Sequence, residues 1–153
     1  MKKIKVQRRA RKPKTQLAGW RERISFPGMG IFDLAAKFDT GAKSSALHAE
    51  KIRYLYKGER VFVEFEVPLK KGAPKFKKCL FPLLEERVIK DSSGNKTLRP
   101  VINVVIEVGG LSYSVEMTLI GRHKMENEVL VGRDAMKNKF IVHPAKSFLL
   151  SKK

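Results

Sequence analysis

The chain has 153 residues, of which 42% are hydrophobic; this suits one domain with its own core and excludes a wholly disordered chain. Lysine and arginine number 33 against 15 acidic residues, so the net charge is +18 and acidic partners are favoured: nucleic acid, an anionic membrane surface or an acidic peptide. The apolar runs are only strand-sized, which excludes a membrane-spanning helix, and we expect no membrane partner. The single cysteine, Cys79, and the lack of an apolar stretch after the basic N-terminus predict a cytoplasmic protein without a signal peptide.

Positive charge is concentrated at the N-terminus. Residues 1–14 carry eight Lys or Arg side chains and no acid. Because like charges repel and little of this segment can be buried, we expect a flexible basic arm ahead of a folded domain over residues 15–153. The arm suits a tether to RNA or the ribosome, and it equally suits a solvated tail that aids solubility. The composition leaves both interpretations open.

Short apolar runs bounded by turn residues recur along the rest of the chain, and helical periodicity is scarce. The predicted strands are, in chain order, residues 17–24, 32–39, 47–56, 60–67, 84–90, 98–108, 111–120, 129–131, 140–142 and 147–150. A basic loop is expected over residues 70–78, a hairpin turn over 91–95 and one or two helical turns over 133–137. This pattern predicts an all-β fold, a small closed or partly closed barrel.

One segment combines residue types that carry chemistry. Asp39, Thr40 and Gly41 directly follow an apolar strand. The strand brings the carboxyl group of Asp39 towards the interior, Thr40 offers a hydroxyl that can tie two such loops together, and Gly41 permits a tight turn and close backbone approach. A second element, residues 129–134 (Val-Leu-Val-Gly-Arg-Asp), lies downstream beyond a turn-rich hairpin region. The order of the two elements and the distance between them in the chain are therefore considered together as one pattern.

The two elements resemble those of retropepsin-type aspartic proteases, in which an apolar-apolar-Gly-Arg stretch packs behind the catalytic loop. The resemblance narrows to the small retropepsin-like family that has also been called ATP-dependent zinc protease and that is associated with the glutamate ligase RimK. It covers residues 17–150 and rests on segments 19–22, 39–49, 92–94, 99–102, 118–119 with Arg122 and Met125, and 131–133, which occur in one order. Two positions depart from the family pattern: Lys43 replaces an expected Arg and keeps its charge, whereas His143 replaces an expected Asp and removes an acid.

The resemblance implies a retropepsin-type barrel and an aspartic endopeptidase with Asp39, Thr40 and Gly41 as its catalytic residues. The paired carboxylates of aspartic proteases share one proton around a water molecule, because two like charges about 3 Å apart cannot both ionise. This chain has one Asp-Thr-Gly, so the second Asp39 must come from a second copy, which predicts a symmetric homodimer. Ala42, Gly132 and Arg133 are expected to support the loop.

The association with a glutamate ligase implies glutamate-rich peptide tails as the substrate and the ligase as a partner. The turn between residues 91 and 95 is the candidate flap that closes over the substrate. Arginine binds carboxylates bidentately, so cations around the cleft would select an acidic peptide. The expected substrate-binding residues are Lys43, Arg87 and Arg99, together with the flap residues Ser92, Ser93 and Gly94.

A metal site has little support in the sequence. His48 and Glu50 are two residues apart, so on a strand their side chains would share a face. The chain has no His-Glu-x-x-His motif and no cysteine pair with zinc spacing, and we expect no metal cofactor and a hydrogen-bonded His48 beside the active loop. Without a Gly-x-x-x-x-Gly-Lys-Ser/Thr loop, ATP is not expected to bind this chain.

Two other functions stay open at the level of sequence. A non-catalytic adaptor on the same fold would bind a ribosome, RNA or another protein, and its mark would be salt-dependent RNA affinity that requires residues 1–14. A zinc-dependent peptidase built on His48 would lose its activity to a chelator.

Overall fold

A computed structural model describes residues 14–69, 75–121 and 127–151. The predicted basic arm, apart from Lys14, lies outside these ranges, as do residues 70–74 of the predicted basic loop. The strands of the described residues are β1 (Gln16–Gly19), β2 (Arg21–Phe26), β3 (Ile31–Phe38), β4 (Ser45–His48), β5 (Glu50–Lys57), β6 (Arg60–Pro68), β7 (Phe76–Pro82), β8 (Glu85–Lys90), β9 (Lys96–Val108), β10 (Leu111–Ile120), β11 (Val129–Val131) and β12 (Phe140–His143). A short helix, α1 (Arg133–Met136), lies between the last two strands.

Six strands close into a β-barrel, which confirms the predicted fold class. Their order around the barrel is β10-β4-β11-β3-β2-β9, and β9 closes the ring by pairing with β10. In β9 the buried side chains of Ile102, Val104 and Ile106 alternate with exposed residues 103, 105 and 107. This period of two is that of a strand with one face in the core. The large, almost fully buried side chains of the core include Ile24, Phe26, Leu47, Phe65, Met117 and Leu119.

Three further pairings surround the barrel. The antiparallel sheet β5-β6-β7, which we call the outer sheet, contributes the fully buried Val63, Phe65 and Val67 to the same core. β8 pairs with the first half of the long strand β9, so this hairpin extends the barrel sheet beyond the ring. β1 and β12 pair in parallel. Within the described ranges, no helix is long and apolar enough to cross a bilayer.

Two predicted strands are interrupted, because tertiary contacts override the local pattern. The predicted strand 17–24 breaks at Trp20, whose N–H donates to the Lys146 carbonyl at 3.0 Å. The adjacent Gly19 lies so close to this segment that a Cβ there would stand 2.6 Å from the same carbonyl oxygen. The predicted strand 47–56 breaks at the fully buried Ala49, whose N–H donates to the Ile120 carbonyl at 3.0 Å.

Two other boundaries were predicted wrongly. Residues 76–78, expected in a basic loop, belong to β7 and pair with β6. Residues 147–150, expected as a strand, are irregular because a side chain holds them: the fully buried carboxylate of Glu22 accepts N–H groups from Leu149 at 2.8 Å and Leu150 at 3.1 Å. Glu22 also accepts the N–H of Gly19 at 2.7 Å. A buried carboxylate requires such donors, so Glu22 clamps the C-terminal segment to the barrel.

Candidate active site

Asp39 stands directly after β3 in a tight, hydrogen-bonded turn. Its N–H donates to the Val131 carbonyl at 2.9 Å, and its own carbonyl accepts the N–H of Ala42 at 3.2 Å. The side-chain oxygen Oδ1 accepts the N–H of Gly41 at 2.9 Å. Asp39 as a residue is half-buried, and Thr40 and Gly41 are exposed. The turn therefore fixes the plane of the carboxyl group and presents the loop at the surface of the single chain.

The loop is supported from behind by β11 and α1. β11 lies between β3 and β4, parallel to the first and antiparallel to the second. At its end, Gly132 approaches the loop so closely that a Cβ would stand 2.5 Å from the Ser44 carbonyl oxygen and 2.7 Å from that of Lys43. The N–H of Gly132 donates to the Ser45 hydroxyl at 3.0 Å. No residue but glycine fits here without displacing the backbone of the loop.

α1 continues this support through its backbone and through one side chain. The Arg133 N–H donates to the Ala42 carbonyl at 2.8 Å, and the Asp134 N–H donates to the Lys43 carbonyl at 3.0 Å. The Arg133 guanidinium reaches over the loop and donates from Nη1 to the Thr40 carbonyl at 3.0 Å. The structure thus brings Ala42, Gly132 and Arg133 together with the Asp-Thr-Gly turn.

α1 itself is anchored to the barrel by Tyr113, a residue that no sequence pattern singled out. The Tyr113 hydroxyl on β10 donates to the Ala135 carbonyl at 2.7 Å. Burial raises the pKa of this phenol to about 12. The ammonium group of Lys139 lies 4.6 Å from the centre of the same ring. Tyr113 therefore stays protonated as a donor to the helix that supports the loop.

Within the described residues, the active loop has one carboxyl group. No hydrogen bond or ion pair of these residues joins Asp39 to a second acid, and residues Thr40 and Gly41 beside it are open to solvent. An aspartic-protease mechanism needs two carboxyl groups. The described loop of one chain supplies one carboxyl group.

The predicted flap is the tip of the β8–β9 hairpin. Oδ1 of Asp91 accepts the N–H of Ser93 at 3.0 Å, the hydroxyl of the same residue at 2.7 Å and the N–H of Asn95 at 2.9 Å. Gly94 has a φ of +88°, a conformation that favours glycine. Ser92, Ser93 and Gly94 are all exposed. The tip is a well-formed turn whose shape depends on the Asp91 carboxylate.

Of the two predicted substrate-binding arginines of this hairpin, Arg87 is occupied by the protein's own acids. Its guanidinium donates to Glu116 at 2.8 Å and also contacts Glu85. These two carboxylates raise the pKa of Arg87 above its ordinary value, the hydrogen bond to Glu116 contributing most. A substrate carboxylate would have to displace them to bind Arg87.

Arg99, opposite Arg87 on β9, is 8% exposed and donates from Nε to the Thr97 hydroxyl at 2.9 Å. It lines a groove of about 460 Å³ between β5, β9 and the end of β10. Tyr54 lines the same groove, and its pKa is raised by burial and by a hydrogen bond to Glu86. The groove residues are Ile52, Arg53, Tyr54, Thr97, Leu98, Arg99, Pro100, Leu119, Ile120 and Gly121. Sequence patterns did not reveal this groove, because it forms between β5 and the β9–β10 hairpin, which are distant in the chain.

The predicted metal candidates form a pair and not a site. His48 Nε2 lies 3.5 Å from Glu50 Oε1, and the side chain of His48 is 14% exposed. Throughout the described ranges, no three His, Cys, Asp or Glu side chains are grouped to hold a metal ion. Zinc sites use three or four protein ligands, so this pair does not fit one. Cys79 is buried, which raises its thiol pKa to about 11 and makes it a poor nucleophile.

Comparison with known proteins supports the retropepsin-like fold. The family model described as RimB-like, retropepsin-like aspartic endopeptidase RimB, matches residues 17–153. The chain belongs to this family. A crystal structure of a Legionella pneumophila protein of unknown function shares the fold, with a TM-score of 0.72 and 28% identity over 88% of this chain and 97% of that one.

Curated relatives of this RimB-like chain are larger proteins. It is 36% identical over 138 residues to a probable alpha-L-glutamate ligase from Shewanella pealeana, and 36% identical over 131 residues to one from Desulfotalea psychrophila. These matches cover 90% and 85% of the chain but only 30% and 28% of the relatives. In those proteins a domain similar to this one is therefore joined to a much longer polypeptide.

Proposed function

We propose that this protein is an aspartic-type endopeptidase whose catalytic pair consists of Asp39 from each of two copies. The observation that carries the proposal is the fixed Asp-Thr-Gly turn, held by the Gly132 cradle and by the Arg133 guanidinium at 3.0 Å from the Thr40 carbonyl. A turn with this many fixed contacts keeps a carboxyl group in one orientation. Such preorganisation is what acid–base catalysis requires.

The reaction follows from the properties of two carboxyl groups held together. One, ionised, takes a proton from the attacking water, and the other, protonated, gives a proton to the carbonyl oxygen of the scissile peptide. The N–H of Gly41 on Oδ1 of Asp39 holds the carboxyl plane, which leaves the remaining oxygen atom for the water. The tetrahedral intermediate collapses when the leaving amine accepts a proton from the pair.

The homodimer is part of the proposal because the single chain supplies half of this chemistry. Thr40 and Gly41 are exposed beside a half-buried Asp39, which suits a contact between two identical loops around a two-fold axis. The Thr40 hydroxyls would link the two loops. The β8–β9 hairpin would cover the bound peptide and exclude water.

The proposed substrates are glutamate-rich peptide tails. The relatives named probable alpha-L-glutamate ligase carry a similar domain within one polypeptide, which suggests that ligase and peptidase act on the same acidic product. The net charge of +18 favours such a substrate independently. A glutamate ligase is accordingly the proposed partner.

The test is cleavage of a protein that ends in a glutamate tail, by the wild type and by Asp39→Asn, with and without a chelator. We expect cleavage by the wild type, insensitivity to the chelator and loss of activity in the variant. Asp39→Asn keeps the size of the side chain, so a folded but inactive variant assigns the loss to the carboxylate. An Asp39→Asn protein that cleaves as fast as the wild type would refute the proposal.

A further inference from the structure

Charge is distributed unevenly over the described surface. On the outer sheet and the hairpin, four cations pair with acids: Lys51 with Glu66, Lys78 and Arg53 with Glu64, and Arg87 with Glu85 and Glu116. Around α1 the pattern differs. Five cations lie there, and no ion pair joins any of them to an acid of the described chain. They are Lys14, Lys43, Arg133, Lys137 and Lys139, which we call the cationic strip.

Backbone hydrogen bonds make the strip continuous. The Lys43 carbonyl accepts the N–H of Asp134 at 3.0 Å at the start of α1. After α1, the N–H of Lys137 donates to the Arg133 carbonyl at 2.9 Å. The Lys139 carbonyl then accepts the N–H of Gln16 at 2.9 Å, two residues beyond Lys14. The strip therefore runs from the catalytic loop, past α1, to the start of β1.

The strip is accessible and strongly positive. Lys14, Lys43, Arg133 and Lys137 are exposed, whereas Lys139 is half-buried against Tyr113. Asp134 is the acid that lies among them. Exposed charges act on one another within about 8–10 Å at physiological salt, so neighbouring cations raise a common positive potential. A bound polyanion relieves this repulsion.

We propose that the cationic strip is a binding surface for the acidic segment of a polypeptide substrate, outside the catalytic pair. The nature of the substrate rests on the proposed function. The strip begins at the loop that carries Asp39, so a peptide in the active site can continue onto it. A peptide suits the strip better than RNA, because Tyr113, the aromatic ring in contact with it, is covered by Lys139 and offers no face for base stacking.

The sequence predicted that Arg87 and Arg99 of the β8–β9 hairpin bind the acidic substrate, and the cationic strip is better placed for this role. Arg87 is held by two glutamates and Arg99 is buried, so binding of a substrate carboxylate to either would require existing contacts to rearrange. Lys14, Lys43 and Lys137 are exposed and form no ion pair with an acid of the described residues, so a carboxylate can bind them without such a rearrangement. The acidic tail is thus recognised beside the catalytic loop more than at the flap.

The experiment measures binding of a fluorescent decaglutamate peptide to Asp39→Asn, which separates binding from cleavage. The strip variant adds Lys14→Gln and Lys137→Gln, and the matched control adds Lys51→Gln and Lys57→Gln on the outer sheet, with the same change in net charge. We expect the strip variant to bind about fivefold more weakly than the control at low salt, the loss of two exposed charge contacts. This difference is expected to shrink as salt rises.

Equal affinities of the strip and control variants would overturn the proposal. So would a strip variant that loses affinity for a uridine homopolymer and keeps its affinity for the peptide, because the surface would then serve RNA. Failure of the proposed function looks different: the peptide would bind at the strip while the wild type cleaves no glutamate tail. Tail cleavage that the strip substitutions leave unchanged at low substrate concentration would retain the peptidase and reject the strip.

Discussion

Replacing Gly132 with alanine tests how closely the second motif supports the active loop. A Cβ at this position would stand 2.5 Å from the Ser44 carbonyl oxygen and 2.7 Å from that of Lys43, both of them backbone atoms. Such an overpacked methyl group costs about 1–3 kcal/mol. Moving the loop away would also strain the Arg133–Ala42 and Asp134–Lys43 hydrogen bonds, which contribute about 0.5–1.5 kcal/mol each. We therefore expect Gly132→Ala to lower the free energy of unfolding by about 2–6 kcal/mol.

The matched control is Gly28→Ala, in the 3₁₀ turn before β3. A Cβ at Gly28 meets only the Phe81 ring edge, at 3.9 Å, an ordinary contact. A glycine that needs no special conformation can even gain about 0.4–1 kcal/mol when it is replaced by alanine. Urea unfolding followed by circular dichroism gives both free energies. If Gly132→Ala is as stable as Gly28→Ala, the claim that residues 129–134 pack tightly behind the loop is wrong.

Three further predictions concern other parts of the same framework. Glu22→Gln leaves backbone donors of the C-terminal segment without a carboxylate, and we expect it to lower the free energy of unfolding by about 2–4 kcal/mol; an unchanged denaturant midpoint would contradict the clamp. Arg133→Lys removes the guanidinium that holds the Thr40 carbonyl, and we expect kcat to fall roughly ten- to a hundredfold with little change in KM, measured on the glutamate-tailed substrate; a change confined to KM would argue against a positioning role. Burial raises the pKa of the Cys79 thiol from 9.0 to about 11, so as pH rises the thiol ionises in the unfolded chain before it ionises in the folded one. We therefore expect the wild type to lose stability relative to Cys79→Ala as pH rises from about 9 to about 11. A parallel dependence on pH in the two proteins would refute this.

Most strands and the Asp-Thr-Gly loop could be predicted from the sequence because their signals are local. Asp39-Thr40-Gly41 follows an apolar strand directly, and from residue 102 to residue 108 the apolar positions alternate as the buried and exposed faces of β9 do. The hairpin turn was readable for the same reason, since Asp91 bonds to residues two and four positions further along the chain. In each case the partners lie within a few residues.

Features that depend on distant contacts were not readable. The break at Ala49 requires a hydrogen bond to Ile120, and the irregular C-terminal segment requires the carboxylate of Glu22. The charge of Arg87 was visible in the sequence, whereas its pairing with Glu116 on another strand was not. The number of cations can be read from the sequence. Which of them pair with acids can be seen only in the folded structure.

The measurement that tests the central claim most directly is the activity of mixed subunits. Wild type and Asp39→Asn are combined at constant total concentration and allowed to exchange, and tail cleavage is followed as the fraction of wild type changes. If each site requires Asp39 from two copies, activity follows the square of that fraction, and an equal mixture keeps about a quarter of the full rate. Activity that falls in simple proportion to the wild-type fraction would show that one copy suffices and would contradict the paired site.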